Sequence, residues 1–256
     1  MNIRKISTQV VPPICFFGLF LFSWHVIVKF FAIPPFLLPS PLLVAYAVFL
    51  HAERLIDATF LTAIGSLTGF LLSFGFGFCV ALLFSQSRII ERGLYPYAIF
   101  LQTVPIVAVA PLIVLWIGYG LQGVVAVSFI ISLFPIIANT TAGLTQVDPR
   151  LIDLFELNNA NRWQILFKLR VPNAVPSMLT GARISSGLSV IGAIVGEFFA
   201  GYGTDDFGLG YLIIQTSGQA KTDYLFACIL FCTVLGLTIF TAVGFSSHYL
   251  LKKWSG

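Results

Sequence analysis

Uninterrupted apolar stretches of twenty residues and more recur along this chain, and a lipid bilayer is the solvent they suit. A hydrocarbon core of about 30 Å takes roughly 20 apolar residues of helix. Read with that ruler, the sequence predicts six spans at roughly 10–31, 58–84, 95–116, 123–146, 174–199 and 224–250. Strands of a barrel would alternate polar and apolar residues, and runs such as Phe70-Leu71-Leu72-Ser73-Phe74 do not. Only 9% of the 256 residues are charged, against about 25% in ordinary soluble domains. That excludes a disordered chain, a disulfide scaffold and a nucleic-acid-binding domain. The fold class expected is all-α and polytopic, one transmembrane domain over residues 1–256.

Met1 to Lys5 followed by an apolar run imitates a secretory signal. The run from Val10 to Phe31 is too long for one and lacks a small-x-small cleavage site, so it reads as a retained first span. With both termini in the cytosol, all of the 14 basic residues fall on the inner side except Lys29, Arg54 and Lys221, and the positive-inside rule selects that orientation. The proline-rich segment 33–41 then lies outside and cannot be regular helix. A half-apolar stretch at about 42–56 is expected along the outer surface. The last outer loop, about 200–223, carries Asp205, Asp206 and Asp223.

Small residues at four-residue spacing mark close helix contacts in lipid. The second span has Gly65, Gly69, Ser73, Gly77 and Ala81; the fifth has Gly181, Ser185, Ser189 and Ala193, with Glu197 next in the row; the sixth has Cys228, Cys232 and Gly236. Each row has two readings, plain packing or a helix sliding along a polar path that Ser185 and Ser189 would line. Cys15, Cys79, Cys228 and Cys232 read as small buried hydrophobes, with a thiol or metal pair at Cys228 and Cys232 as the other reading. Pro105, Pro111 and Pro135 interrupt the third and fourth spans and call for a protein or water neighbour to satisfy freed carbonyls. Glu197, near the outer end of the fifth span, is either a structural ion pair or outer gate, or an interfacial residue in contact with water. Arg183 lies toward the other end of that span.

No catalytic motif is present. Gly218-Gln219-Ala220-Lys221-Thr222 lacks the glycine that precedes the lysine of a phosphate-binding loop, and Gly208-Leu209-Gly210 reads as a turn. The chain is therefore expected to be no enzyme and to hold no metal. If it moves solute uphill, the energy comes from a partner or an ion gradient.

The longest inner connection, about 147–173, predicts two short helices. The first starts at Pro149 with Leu151, Leu154, Phe155 and Leu157 along one side. A turn of Asn158, Asn159, Ala160 and Asn161 follows, and a second helix carries Trp163 and Phe167 until Pro172 and Pro176 stop it. Apolar side chains on a cytosolic helix–turn–helix either dock in a partner's groove or pack under their own bundle.

Asp148 to Pro176 resembles the cytoplasmic loop of permease subunits of bacterial ABC importers, closest to the nitrate/sulfonate/taurine type. That pattern is Glu-Ala-Ala, three residues, Gly, a basic-Trp pair and a closing L-P-x-A-x-P. Here it reads Asp153-Leu154-Phe155, then Asn159-Ala160, Arg162-Trp163 and Val171-Pro172-Asn173-Ala174-Val175-Pro176. Further similar blocks are Leu38 to Pro41, Pro105 through Tyr119-Gly120, Gly181 to Ile184, Gly196-Glu197 and Gly208 to Ile213. The resemblance implies a type I permease fold in the bacterial inner membrane. It also implies a pair of permease copies, homodimeric, whose path is gated near Glu197, Ser185, Ser189, Pro105 and Pro111. Two cytosolic ATPase subunits would grip the loop at Asp153, Leu154, Phe155, Asn159, Ala160, Arg162, Trp163 and Pro172. An extracytoplasmic binding protein would deliver the solute, with ATP and magnesium on the partner. Where Gly is usual, Asn159 has to take a positive φ. The departures at Asp153 to Phe155, with Gly196-Glu197-Phe198, lean toward importers of pyrimidine vitamin precursors or riboflavin, ahead of sulfonates, taurine or nitrate. An ion-coupled secondary carrier is the alternative, although no carboxylate sits at mid-span.

Overall fold

The structure is a computed structural model that describes residues 3–201 and 208–254; Asp205 and Asp206 lie outside the described residues. It is all helical. In chain order the elements are α1 (Ile3–Phe30), α2 (Pro41–Leu50), α3 (Ala52–Gln86), α4 (Arg88–Thr103), α5 (Ile106–Ile117), α6 (Leu121–Thr145), α7 (Pro149–Leu157), α8 (Arg162–Ile165), α9 (Val171–Ala200), α10 (Leu209–Gly218) and α11 (Thr222–Trp254). Among the described residues five helices are long and apolar enough to cross a membrane: Val11–Phe30, Ala52–Gln86, Leu121–Thr145, Arg162–Ala200 and Thr222–Lys253.

Two expectations from the sequence are corrected. The span at 95–116 is not one helix: the chain leaves helical geometry at Val104 (ψ 126°) and Pro105 (ψ 103°), which separates α4 from α5. The residue before a proline is driven out of the α region by the ring, and that decides the break. Pro172, conversely, stops nothing. Arg162 to Ala200 runs as one helical rod through a π-helical turn at Leu166–Arg170, where the Val171 amide donates to the Leu166 carbonyl. The widened turn takes up the site where Pro172 has no amide to give and its ring would crowd the preceding turn.

The core is a three-helix seam in which α6 is clamped between α3 and α9. Three residues of α6 each lie between two glycines, meeting one on α3 with the side chain and one on α9 with the backbone. A Cβ on Gly65 would come within 2.8 Å of Val124, and one on Gly196 within 2.9 Å of it; Gly69 and Gly192 face Ser128 at 2.6 and 2.7 Å; Gly77 and Gly181 face Ile136 at 2.8 and 3.3 Å. Without a hydrophobic drive between helices in lipid, such approach is what holds them, through dispersion and hydrogen bonds. Serines complete the seam. Ser185 Oγ donates to Ser132 O at 2.6 Å, Ser128 Oγ to Ser189 O at 2.9 Å, and Ser73 and Ser132 share a hydrogen bond at 2.8 Å.

The third row packs differently. Cys228 is buried in a cluster with Leu209, Leu212, Leu235 and Val190, where α10 and α11 meet α9, and Cys232 flanks it. Cys15 and Cys79, expected to be buried, are exposed on the outside of the bundle, where a small apolar side chain is at no disadvantage in lipid.

Candidate functional site

Three groups of residues singled out by the sequence come into focus. The first is the α7–α8 unit. Asp148 caps α7 by accepting from the Arg150 amide at 2.9 Å. At the far end Asn159 takes φ 55°. Around it the Ala160 amide donates to Phe155 O at 3.0 Å and the Asn159 amide to Glu156 O at 2.9 Å, the paired bonds of a Schellman turn. Asn161 then opens α8 with a capping box: its side chain accepts from the Gln164 amide and Gln164 accepts from the Asn161 amide, both at 2.8 Å. The connection is thus a stiff corner.

The unit is half buried and half bare. Ile165 and Leu166 of the rod are buried, and Leu166 packs with Ala81, Leu144 and Ala174 where α3, α6 and α9 converge. Arg170 donates to Ser85 O at 2.8 Å and Asn173 to Gly143 O at 3.0 Å, so the rod is tied to the ends of both α3 and α6. Helix α7, by contrast, buries no residue. Leu151 is 44% exposed, Leu154 53%, Leu157 81% and Trp163 65%, with Trp163 stacked on Phe167 at 6.0 Å. Asp153, Asn159 and Arg162 are exposed, Phe155, Ala160 and Pro172 half-buried. Leu154, Phe155, Asn158, Ala160, Gln164 and Lys168 line a cleft of about 270 Å³ between the two short helices. Ile165, at the end of α8, thus packs under the bundle, while α7 is left uncovered.

The second group surrounds Glu197. It is 4% exposed, inside the fold and not at an interface. Oε2 accepts from Thr62 Oγ1 at 3.0 Å and from the Gly210 amide at 2.7 Å, and the Leu209 amide donates to Thr62 Oγ1 at 2.9 Å. Gly208 and Gly210 leave no room for a side chain against the carboxyl group. Gly208-Leu209-Gly210 is thus the start of α10, its amides capped by side chains from α3 and α9. A chamber of about 200 Å³ adjoins it, lined by Leu61, Leu121, Val124 and Glu197 together with Gly120, Ala200, Gly201 and Gly208. Thr62 is not marked by the sequence, since a threonine in an apolar run carries no local sign of a partner 135 residues away, and Gly210 is legible there only as part of a turn.

The third group does not assemble. Ser185 and Ser189 are completely buried against α6 and lie in the helix seam. Pro105 and Pro111, expected toward the interior, are exposed, while Ala110, Ile113 and Val114 turn inward. Only Pro135 is enclosed, in α6, with Asn139 Nδ2 donating to its carbonyl at 2.8 Å.

Residues 69–255 match the family model described as "Binding-protein-dependent transport system inner membrane component". A probable ABC transporter permease protein of Haemophilus influenzae is 34% identical over 247 residues, covering 96% of this chain and 98% of that protein. The formylaminopyrimidine transport permease protein of Halalkalibacterium halodurans is 34% identical over 248 residues (96% and 97%), and the riboflavin transport system permease protein of Chloroflexus aurantiacus is 34% identical over 238 residues (92% and 87%). In fold the chain is similar to an inward-facing structure of the MetNI methionine ABC transporter, with a TM-score of 0.64 at 17% identity, over 78% of this chain and 95% of that one.

Proposed function

This chain belongs to the family of binding-protein-dependent inner membrane components, the multi-pass permeases of ABC importers that are not themselves ATPases, and from that premise we propose how it works. Two copies form the solute path, with both termini in the cytosol. Each presents α7 to one of two cytosolic ATPase subunits, which hold the ATP and magnesium, and a binding protein delivers solute from outside. Asp153, Leu154, Phe155, Asn159, Ala160, Arg162 and Trp163 form the docking surface, and Pro172 passes its displacement into the rod. The exposed flank of α5 around Pro105 and Pro111 faces the second copy.

The observation that carries this reading is the contrast within the inner connection. A locked helix–turn–helix leaves α7 with no buried residue, yet is bolted through Arg170 and Asn173 to the ends of α3 and α6. Covering a leucine side chain is worth about 1.5–3 kcal/mol, so Leu154 and Leu157 supply a partner with a strong contact. A push on α7 reaches three core helices through two hydrogen-bonded anchors, as a bistable bundle biased from one end requires.

For the solute we favour a pyrimidine vitamin precursor or riboflavin over sulfonates, taurine and nitrate. The support is the 34% identity to two permeases named for such compounds, each over more than nine-tenths of this chain. The test is uptake in cells carrying the whole transporter, with Asp153→Lys and Leu154→Asp variants and labelled riboflavin, an aminopyrimidine, taurine and nitrate. Both variants are expected to insert normally, to lose the co-purifying ATPase and to lose uptake. Wild-type uptake in Asp153→Lys, or uptake that persists after the ATPase is deleted, overturns the reading.

A further inference from the structure

Arg183 is a guanidinium within the apolar helix α9, about 14 Å in from the start of the span expected at 174–199. α9 runs from Val171 to Ala200, so Arg183 stands 12 residues from its start and 17 from its end, about 18 Å and about 26 Å of helix. A charge at that depth is costly, and arginines there characteristically face water, a counter-charge or a functional path. No counter-charge is present: among the described residues its side chain meets the Phe240 ring, with the guanidinium carbon 4.5 Å from the ring centre. It is nonetheless exposed. Two glycines adjoin the pair. Gly244 of α11 lies beside Arg183, where a Cβ would sit 3.4 Å from Nε, and Gly187 one turn further along α9 leaves the edge of Phe240 uncovered. Thr180, three residues before it on the same face, is also exposed. The opposite face of α9 is the glycine and serine seam against α6, and on this side, beside α11, Thr180, Arg183 and Ile184 are exposed.

We propose that Arg183 is a solute-contacting residue of the transmembrane path. Its guanidinium donates hydrogen bonds to acceptor oxygens on a small solute, whether carbonyls of a heterocycle or an anionic oxy group, and Phe240 holds it by its π-face. The inference rests on the importer reading above and deepens it. It places the path along the α9–α11 groove and selects solutes rich in acceptors over those that carry only donors.

Two measurements test it. In a variant whose four native cysteines are replaced by alanine, Arg183→Cys is treated with an anionic, membrane-impermeant methanethiosulfonate in proteoliposomes of the assembled transporter. The thiol reacts if position 183 faces water, whereas Leu237→Cys, on the exposed apolar side of α11, stays inert as the lipid-facing control. Arg183→Cys as inert as Leu237→Cys overturns the proposal. Separately, in the otherwise native complex, Arg183→Gln is expected to lower solute flux at least tenfold while binding-protein-stimulated ATP hydrolysis stays within twofold, and Arg183→Lys to retain an intermediate flux. Wild-type flux in Arg183→Gln also overturns it. Failure of the importer reading is separately visible, since the unsubstituted complex would then hydrolyse ATP without uptake.

Discussion

Removing the Glu197 carboxyl group isolates the cap of α10. Its N-cap is Gly208, which has no side chain to accept from the first-turn amides, so the oxygens come from elsewhere: Thr62 Oγ1 for Leu209 and Glu197 Oε2 for Gly210. In Glu197→Ala the buried Gly210 amide loses its acceptor, at about 1–3 kcal/mol, and the Thr62 hydroxyl loses one bond of about 0.5–1.5 kcal/mol, keeping its bond to Ala58 O at 3.0 Å. The total is about 1.5–4.5 kcal/mol against docking of α10. Since α10 meets the rest of the bundle mainly through α9 and α11, the loss falls on local opening before global unfolding. Amide hydrogen exchange in the segment from Leu209 to Gly218, measured by mass spectrometry in nanodiscs, should quicken roughly 10- to 1,600-fold, each tenfold corresponding to about 1.4 kcal/mol. Glu197→Gln retains a carbonyl acceptor and should quicken it less than tenfold. A change below threefold in Glu197→Ala would mean that the cap does not hold α10, and the reasoning fails.

Gly69→Ala is expected to cost several kcal/mol or abolish assembly, because the new Cβ would lie 2.6 Å from that of Ser128 and 2.9 Å from the Phe129 amide nitrogen; Gly75→Ala, with nothing within 4 Å, should raise the melting temperature in detergent by removing a helix-interior glycine worth about 0.5–1 kcal/mol. Asn159→Gly should preserve uptake and stability, while Asn159→Val, forcing a β-branched residue to φ 55°, should reduce ATPase co-purification without reducing membrane insertion.

The membrane class, most of the spans and the inner helix–turn–helix are written in the sequence, because each depends on a short stretch of chain meeting its solvent. Apolar length sets a span, and Asn159 is one of the few residue types that close a helix with positive φ. Asp148, Asn161 and Gln164 act within three residues of themselves, so their caps follow from local spacing. Other features needed the tertiary structure. The small-residue rows announced close contact but not with what; that α6 is held from both sides, Val124, Ser128 and Ile136 each between two glycines, depends on how three distant segments come together. Ser185 and Ser189 fell into that seam for the same reason. Glu197 stood between a structural or gating role and an interfacial one until the fold carried Thr62 and the start of α10 to it. Pro172 carries a breaker's local signal, yet the anchors on Ser85 and Gly143 hold the rod straight through it. Local energies decide which elements form, whereas the partner of a buried polar group is decided by residues far away in the chain, whose identity only the packed bundle reveals.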